Sequence, residues 1–332
     1  AGCNVVLANT FGANRLKFDP NCLDRIIGAA IENAKIAAKE SKGKQKKWVA
    51  LDIGPTGKML KPLGDLHFEE AVGIFAETVR LGVKHGADLI FIETMNDSYE
   101  TKAALLAAKE YSDLPVFVSN AYGEDGKLMT GATPAAMVAM LEGMGADAIG
   151  ANCSLGPKQL RPVVAELLEN ASVPVVLKPN AGLPRSVDGK TVFDVTAEEF
   201  AEEIADLMKG GVRVVGGCCG TTPEYIKALT ELTSTLEPHP ITDKNITAVS
   251  SYTHAVRFGE APVLIGERIN PTGKKRFKQA LLENDMDYIL NEGAEQQEKG
   301  VHILDVNVGL PDIDENEMLK NAVCELQAII DL

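Results

Sequence analysis

The chain has 332 residues, of which 45% are hydrophobic and 24% are charged, which is typical of a globular protein rather than a disordered one. Its formal net charge of -14 disfavours a nucleic-acid partner, because phosphate contacts need clustered cations. No apolar run approaches the roughly 20 residues that a membrane-spanning helix needs. The sequence also opens without the pattern of a secretory signal. We therefore expect a soluble, cytoplasmic protein with no nucleic-acid and no membrane partner.

Short apolar runs alternate with helical patterns along the first 233 residues. Seven runs are typical of parallel strands buried on both faces: NVVLANTF, KWVALDIGP, DLIFIETM, LPVFVSNAY, DAIGANC, VPVVLKPNAG and VRVVGGCC. Helical patterns lie between them, at 21–40, 68–86, 98–110, 134–145, 158–170 and 197–209. Seven such βα units predict an α/β fold, and favour a (β/α)8 TIM barrel lacking its first strand over an open doubly wound sheet.

Several helix boundaries are encoded locally. Thr133-Pro134 and Thr222-Pro223 each place an N-cap residue before a proline at the first helical position. Thr196 with Glu199 fits a capping box. Gly210-Gly211 is expected to end the helix that begins after Thr196.

The βα alternation breaks after residue 233. Residues 234–261 contain two prolines and many small polar residues, which is typical of an interdomain linker. A second alternation follows, with PVLIGERINPTG, a helix near 275–299, HILDVNVG and a helix near 314–331. The sequence thus predicts a first domain over 1–233, a linker over 234–261, and a truncated second domain over 262–332 that begins another (β/α)8 barrel.

Three cysteines follow strand patterns directly. Cys153 ends DAIGANC, and Cys218 and Cys219 end VRVVGGCC. In a parallel barrel the carboxyl ends of the strands share one rim, so these thiols are expected to meet. Adjacent strand residues point to opposite faces, and the glycines around the cysteine pair allow the strand to end before it. Three thiolates suit one soft metal ion and leave a fourth position open, which favours a catalytic site over a structural one.

Other interpretations of the same residues stay open at this point. A glycine-rich segment that opens a helix at Thr222-Pro223 is also where barrels hold phosphate. The cysteine pair could instead be small residues in a crowded turn, or part of a noncatalytic zinc module. The remaining cysteines, Cys3, Cys22 and Cys324, have no informative neighbours and are expected to be small buried apolar residues rather than parts of a disulfide scaffold.

The motifs GANCSLGP, KPNAG and GGCCGTTP together resemble those of the homocysteine S-methyltransferase family, over about residues 1–235. The later motifs GERINPTG and ILDVNVG resemble the start of a methyltetrahydrofolate-binding pterin barrel. A homocysteine domain followed by a pterin domain is the order of cobalamin-dependent methionine synthases. The resemblance therefore covers almost the whole chain.

The resemblance implies a zinc site with Cys153, Cys218 and Cys219 as ligands. The homocysteine thiol would be the fourth ligand and would take a methyl group from methylcobalamin to give methionine. Methylcobalamin, bound by a module outside this chain, would be recharged from 5-methyltetrahydrofolate. Related enzymes that use betaine or S-methylmethionine as the donor need no pterin barrel, so the second domain disfavours them. A phosphate-binding lyase or isomerase is the rival from another reaction class.

The resemblance also implies substrate-binding residues at strand ends. Glu93 of FIETM corresponds to the carboxylate that holds the homocysteine ammonium, and Asn180 of KPNAG to an asparagine that can approach zinc. Asn9 and Asn120 also end strands and are candidates to line the pocket. Each of the four has a plainer interpretation, as a residue that caps a helix or stabilises a turn.

Four residues of the second domain are candidate pterin-binding residues. They end its first two strands, where carboxylate and amide groups match the donor and acceptor edge of a pterin ring: Glu267, Asn270, Asp305 and Asn307.

Overall fold

The computed structural model describes residues 1–187, 189–259 and 261–332. The chain divides into two compact units, Ala1–Asn245 and Ile246–Leu332. The boundary between them falls inside the segment 234–261 that the sequence predicts as a linker. Among the residues described, no helix is both long and apolar enough to cross a membrane.

The first unit contains strands and helices in regular alternation. Its strands are β1 (Val5–Leu7), β2 (Trp48–Ile53), β3 (Leu89–Met95), β4 (Val116–Asn120), β5 (Ala148–Asn152), β6 (Val175–Lys178), β7 (Arg185–Val187), β8 (Lys190–Val192) and β9 (Val214–Val215). Its helices are α1 (Pro20–Glu40), α2 (Phe68–Lys84), α3 (Ser98–Tyr111), α4 (Pro134–Gly143), α5 (Arg161–Asn170), α6 (Ala197–Lys209) and α7 (Pro223–Thr233).

Seven of these strands form one sheet in the order β1-β2-β3-β4-β5-β6-β9. Every neighbouring pair is parallel, which confirms the predicted α/β class. The side chains of one face gather from β1 to β9 into a single small cluster, so the sheet is curled around it. The members of this inner cluster are Val5, Leu7, Trp48, Ala50, Leu89, Phe91, Phe117, Ala148, Val176 and Val214. The opposite face packs on the helices and forms the largest core of the unit. A curled parallel sheet covered by helices is the architecture of a TIM-barrel-like domain.

The helix boundaries follow the encoded caps closely. Thr133 accepts a hydrogen bond from the Ala136 amide, and Thr196 forms the predicted capping box with Glu199. Helix α7 begins at Pro223 as predicted, but the Thr222 hydroxyl does not cap it. The helix predicted from residue 158 begins only at Arg161.

A short antiparallel hairpin, β7–β8, follows the sixth strand of the sheet. The sequence prediction missed it, because strands of three residues leave too little alternation to detect. The predicted run VPVVLKPNAG is also longer than the strand, which ends at Lys178. The residues that follow Lys178 therefore form the turn that reaches the cysteine pair.

The second unit has a hairpin, β10 (Ala248–Ser250) and β11 (Ala255–Arg257), within the predicted linker. It continues with the parallel pair β12 (Ile265–Ile269) and β13 (Ile303–Val306) and with helices α8 (Lys275–Glu283), α9 (Met286–Glu298) and α10 (Glu315–Ile329). The prediction of a single helix near 275–299 is wrong, because two helices, α8 and α9, occupy this segment. Asn284 adopts a left-handed conformation with φ of 53°, and Asp285 caps a new helix through the Tyr288 amide.

Candidate metal centre

The inner face of the sheet changes from apolar to polar toward the carboxyl ends of its strands. In β3 the inward residues Leu89 and Phe91 are followed by Glu93, and in β6 Val176 is followed by Lys178. In β5 the inward residue Ala148 is likewise followed, four residues later, by Asn152. Because residues two apart in a strand share a face, these polar side chains point into the mouth of the curled sheet.

The three predicted cysteines lie together at this mouth. The Sγ atoms of Cys153, Cys218 and Cys219 all lie within 4.8 Å of one another. The sulfurs of Cys153 and Cys219 are 3.8 Å apart. Cys153 and Cys218 are half-buried and Cys219 is exposed, so the cluster opens toward solvent on one side.

The other three cysteines lie outside this cluster. Cys22 is half-buried, whereas Cys3 and Cys324 are exposed. The prediction that they are buried is therefore wrong for Cys3 and Cys324.

Cys153 is held by an unusual backbone conformation just past β5. Its φ is 61° and that of Ser154 is 58°, in the left-handed region that costs about 1–3 kcal/mol for a residue with a side chain. The Cys153 amide donates to the Lys178 carbonyl at 3.0 Å. This bond and the turn together direct the thiol toward the strand that carries the cysteine pair.

The pair Cys218-Cys219 lies beyond β9, in a turn fastened to the segment after β6. The Cys218 amide donates to the Pro179 carbonyl at 2.9 Å, and the Cys219 amide donates to the Asn180 side chain at 3.0 Å. Gly220 has φ of 82°, and a Cβ there would lie 2.3 Å from the Phe193 ring, so the turn requires glycine. These bonds occupy the amides of Cys218 and Cys219, so neither of them is available to a phosphate.

The three thiols shift one another's pKa values. Hydrogen bonding from Cys218 lowers the pKa of the Cys153 thiol to about 6. The same contact raises the pKa of Cys218 far above its ordinary value, and burial followed by the charge of Cys153 raises the pKa of Cys219. One thiolate is therefore favoured at the expense of the others. Ionising all three requires a cation among them, and three thiolate donors suit a soft metal such as Zn²⁺.

Asn152 is a residue that the sequence places beside Cys153 without assigning it a role. It is fully buried, and its Oδ1 accepts from the Thr94 amide at 2.8 Å and the Ser119 hydroxyl at 2.6 Å. Its Nδ2 donates to the Thr94 hydroxyl at 2.7 Å and reaches Cys218 Sγ at 3.9 Å. The amide therefore ties β3, β4 and β5 to one sulfur of the cluster.

Glu93 points into the same mouth and pairs with a lysine. Its Oε2 receives a hydrogen bond from Lys178 Nζ, and both side chains are nearly buried. The Lys178 ammonium also lies 4.6 Å from the centre of the Phe91 ring. Asp52 of β2 is the third ionisable group of this set, because it interacts electrostatically with both Glu93 and Lys178. Asp52 was not predicted from the sequence as a site residue. The sequence feature that could have indicated it is a carboxylate at an inward strand position, two residues after Ala50.

The other predicted substrate residues differ in their surroundings. Asn180 is buried, and its Oδ1 is bound to the Cys219 amide. Asn120 is buried too, but its Nδ2 donates to the Met95 carbonyl at 3.3 Å and the Thr101 hydroxyl at 3.0 Å, which fastens β4 to α3. Asn9 is exposed just past β1, the strand at the edge of the sheet opposite β9.

The four candidate pterin residues lie in the second unit, on or just beyond β12 and β13. Glu267 is largely exposed and accepts from Lys274 Nζ at 3.2 Å. Asn270 and Asn307 each bind the backbone amide two residues ahead, at 2.8 Å. Asp305 is exposed on the neighbouring strand. The two asparagines thus have turn-stabilising bonds, and the two carboxylates are open to solvent.

The fold and the thiol cluster together define a TIM-barrel-like protein with a candidate metal centre at the carboxyl ends of its parallel strands. The model of the family described as homocysteine S-methyltransferase matches residues 1–233. The chain belongs to the homocysteine S-methyltransferase family.

Two curated relatives are methionine synthases of mycobacteria. The one from Mycobacterium leprae is 29% identical and is matched over 99% of this chain and 28% of its own length. The one from Mycobacterium tuberculosis is 30% identical over 93% of this chain and 27% of its own length. The chain thus spans a little over a quarter of the length of these relatives.

Two solved structures share the fold. The homocysteine methyltransferase MmuM of Escherichia coli matches in its metallated form with a TM-score of 0.58 and 22% identity, over 69% of this chain and 80% of that one. Its apo form matches with a TM-score of 0.56 and 22% identity, over 70% and 80% of the two chains.

Proposed function

We propose that the first unit transfers a methyl group to the thiol of homocysteine, giving methionine, with Zn²⁺ held by Cys153, Cys218 and Cys219. The observation that carries this proposal is the cluster of three sulfurs within 4.8 Å of one another at the mouth of the sheet. Three protein ligands leave the fourth position of a tetrahedral metal for a substrate. Bound there, zinc would lower the pKa of the substrate thiol and keep it as a thiolate near neutral pH.

The residues around the sulfurs have separate tasks in this reaction. Asn152 and Asn180 hold the cysteines in place through Cys218 Sγ and the Cys219 amide. Glu93 offers a buried carboxylate for the substrate ammonium. The exposed side of Cys219 leaves a path for a methyl donor to approach the substrate sulfur.

We propose methylcobalamin as the methyl donor, recharged from 5-methyltetrahydrofolate. Two features support this choice over betaine or S-methylmethionine: the GERINPTG and ILDVNVG segments on β12 and β13, and the methionine synthases among the relatives. Glu267, Asn270, Asp305 and Asn307 are the proposed pterin contacts. A cobalamin-binding module is the expected partner of this chain in the complete reaction.

Zinc content measured with and without homocysteine tests the metal centre. We expect about one zinc per chain, and X-ray absorption should change from three sulfur ligands to four when homocysteine is added. Cys218→Ser should lose most of the zinc, whereas the matched variant Cys324→Ser, at an exposed cysteine of the second unit, should keep it.

Methionine formation from homocysteine and added methylcobalamin then tests the donor. Betaine and S-methylmethionine serve as the competing donors in parallel reactions. A protein that binds no zinc contradicts the metal centre, and methionine formed only from betaine or S-methylmethionine contradicts the proposed donor.

A further inference from the structure

Three ionisable side chains share the inner face of the sheet, near the carboxyl ends of their strands. Asp52 comes from β2, Glu93 from β3 and Lys178 from β6. The side chains of Lys178 and Glu93 are only 11% and 9% exposed, and Asp52 is 6% exposed. Charges buried to this degree are rare unless they are paired or serve a ligand.

The hydrogen bonds of this set are incomplete. Two carboxyl groups face one ammonium, and Lys178 Nζ bonds to Glu93. The Oδ1 atom of Asp52 is buried and accepts no hydrogen bond from any residue that the structure describes. A buried acceptor without a donor costs free energy. The arrangement therefore points to a ligand that brings a hydrogen-bond donor into the mouth of the sheet.

The set is joined directly to the cysteine cluster. The Lys178 carbonyl accepts from the Cys153 amide at 3.0 Å. Lys178 is also the register partner of Asn152, whose Nδ2 reaches Cys218 Sγ. A ligand whose sulfur lies among the cysteines would thus have its other end beside Lys178 and Glu93.

We propose that Asp52, Glu93 and Lys178 form a receptor for the zwitterionic end of an α-amino acid, with Lys178 binding its carboxylate. This inference rests on the proposed function and names a specificity-determining residue for it. The ligand ammonium lies between Glu93 and Asp52, and supplies the missing donor to Asp52 Oδ1. Lys178 turns from Glu93 to the ligand carboxylate.

The exchange keeps every buried charge paired. In the free protein Lys178 acts as the counter-ion of Glu93. When the zwitterion binds, one internal ion pair is replaced by two pairs with the ligand. A thiol with only an ammonium would displace Lys178 and leave it without a partner. A thiol with only a carboxylate would draw Lys178 away and leave Glu93 unpaired, so both are disfavoured.

Three thiols that differ only in these groups test the inference on the full chain loaded with Co²⁺. They are L-homocysteine, 3-aminopropane-1-thiol, which lacks the carboxylate, and 4-sulfanylbutanoate, which lacks the ammonium. Calorimetry measures their affinities, and the sulfur-to-cobalt charge-transfer absorption reports thiol ligation. The variants are Lys178→Met and Lys178→Gln, with Lys227→Met at an exposed lysine of α7 as the matched control. Circular dichroism verifies that each variant is folded.

We expect the unaltered protein to bind homocysteine more tightly than either analogue. Each Lys178 variant should lose about 10- to 100-fold in homocysteine affinity, the value of one charge-assisted hydrogen bond. The affinity of each Lys178 variant for 3-aminopropane-1-thiol should stay unchanged or rise, because Glu93 no longer pairs with Lys178. Lys178→Gln, which keeps a donor for Glu93, guards against a variant that fails to fold.

Equal losses for homocysteine and 3-aminopropane-1-thiol, or no loss for either, would overturn the role of Lys178. A different result would contradict the proposed function: homocysteine would bind without changing the cobalt spectrum. In that case the calorimetric comparison still decides the inference, since it needs no sulfur–metal bond. Absence of homocysteine binding to the unaltered protein would overturn both.

Discussion

Asn152 links the cysteine cluster to the strands around it, although it carries no charge and is fully buried. Its amide satisfies two hydroxyls, one backbone amide and one thiol from neighbouring segments. A buried side chain with all of its bonds made is rigid, and it fixes the groups that it contacts. At the scale of single residues, the candidate site is therefore held in place by amide side chains, and its thiols and carboxyl groups are the proposed ligand-binding groups.

Asp52 gives the site a measurable pH dependence. Burial, followed by the charge of Glu93, raises its pKa to about 8 from an ordinary value of 3.8. Between these pH values the folded protein retains a proton that the unfolded chain has released. The free energy of unfolding therefore falls as pH rises through this window, by up to ~1.4 kcal/mol per pH unit.

Asp52→Asn should remove this dependence, because asparagine does not titrate. The free energy of unfolding of the variant minus that of the unaltered protein should therefore increase steadily between pH 5 and pH 8. Urea denaturation at three pH values in this range measures it. The control is Asp194→Asn, because Arg185 lowers the pKa of the exposed Asp194. The difference in free energy of unfolding between this variant and the unaltered protein should not change with pH above pH 5. A flat difference for Asp52→Asn would contradict the raised pKa.

At the scale of elements, the close approach of β5 and β6 sets the distance between Cys153 and the charged groups. A Cβ at Gly150 would lie 1.9 Å from the Val176 carbonyl oxygen, a contact with backbone that no side-chain movement relieves. The two strands can therefore pair at this spacing only with glycine at position 150. The bond from the Cys153 amide to the Lys178 carbonyl lies farther along the same pair.

Gly150→Ala should separate these strands and disturb the metal centre. We expect the free energy of unfolding to fall by about 1–3 kcal/mol, the usual cost of overpacking, and zinc to be bound more weakly. The matched variant is Gly143→Ala at the end of α4, where an added Cβ meets nothing within 4 Å. That variant should be neutral or more stable by up to ~1 kcal/mol. Thermal unfolding and a zinc competition assay compare the two, and equal behaviour would refute the argument.

At the scale of the whole molecule, the candidate metal centre and the candidate pterin residues belong to different compact units. Every cysteine of the thiol cluster lies within Ala1–Asn245. Asp52, Glu93 and Lys178 lie there too, whereas Glu267, Asn270, Asp305 and Asn307 lie within Ile246–Leu332. The proposed thiol chemistry and the proposed binding of the methyl donor thus belong to separate parts of the chain.

A chain shortened to residues 1–245 should retain the metal centre. We expect it to bind one zinc with the affinity of the full chain, because its ligands and their hydrogen-bond partners are all present. Zinc titration of the two proteins side by side measures this. Loss of zinc from a shortened chain that is folded by circular dichroism would mean that the second unit supports the centre.

Much of the fold could be predicted from local patterns. Buried parallel strands appear as short apolar runs, and the caps at Thr133 and Thr196 mark their helices within a few residues. Local signals failed where an element is very short, as in the β7–β8 hairpin. They also failed where one residue breaks a helical pattern, as Asn284 does between α8 and α9.

For the candidate site, the sequence by itself determined which residues end the strands, and so placed the three cysteines and Glu93 on one rim. That inference needs only the rule that parallel strands share their carboxyl ends. Only the tertiary structure decided which side chains pair there. Lys178 and Glu93 are 85 residues apart in the chain, and Asp52 and Asn152 gain their roles from neighbours on other strands. Such pairings depend on strand register, sheet curvature and burial, which arise from long-range packing that the local sequence does not encode.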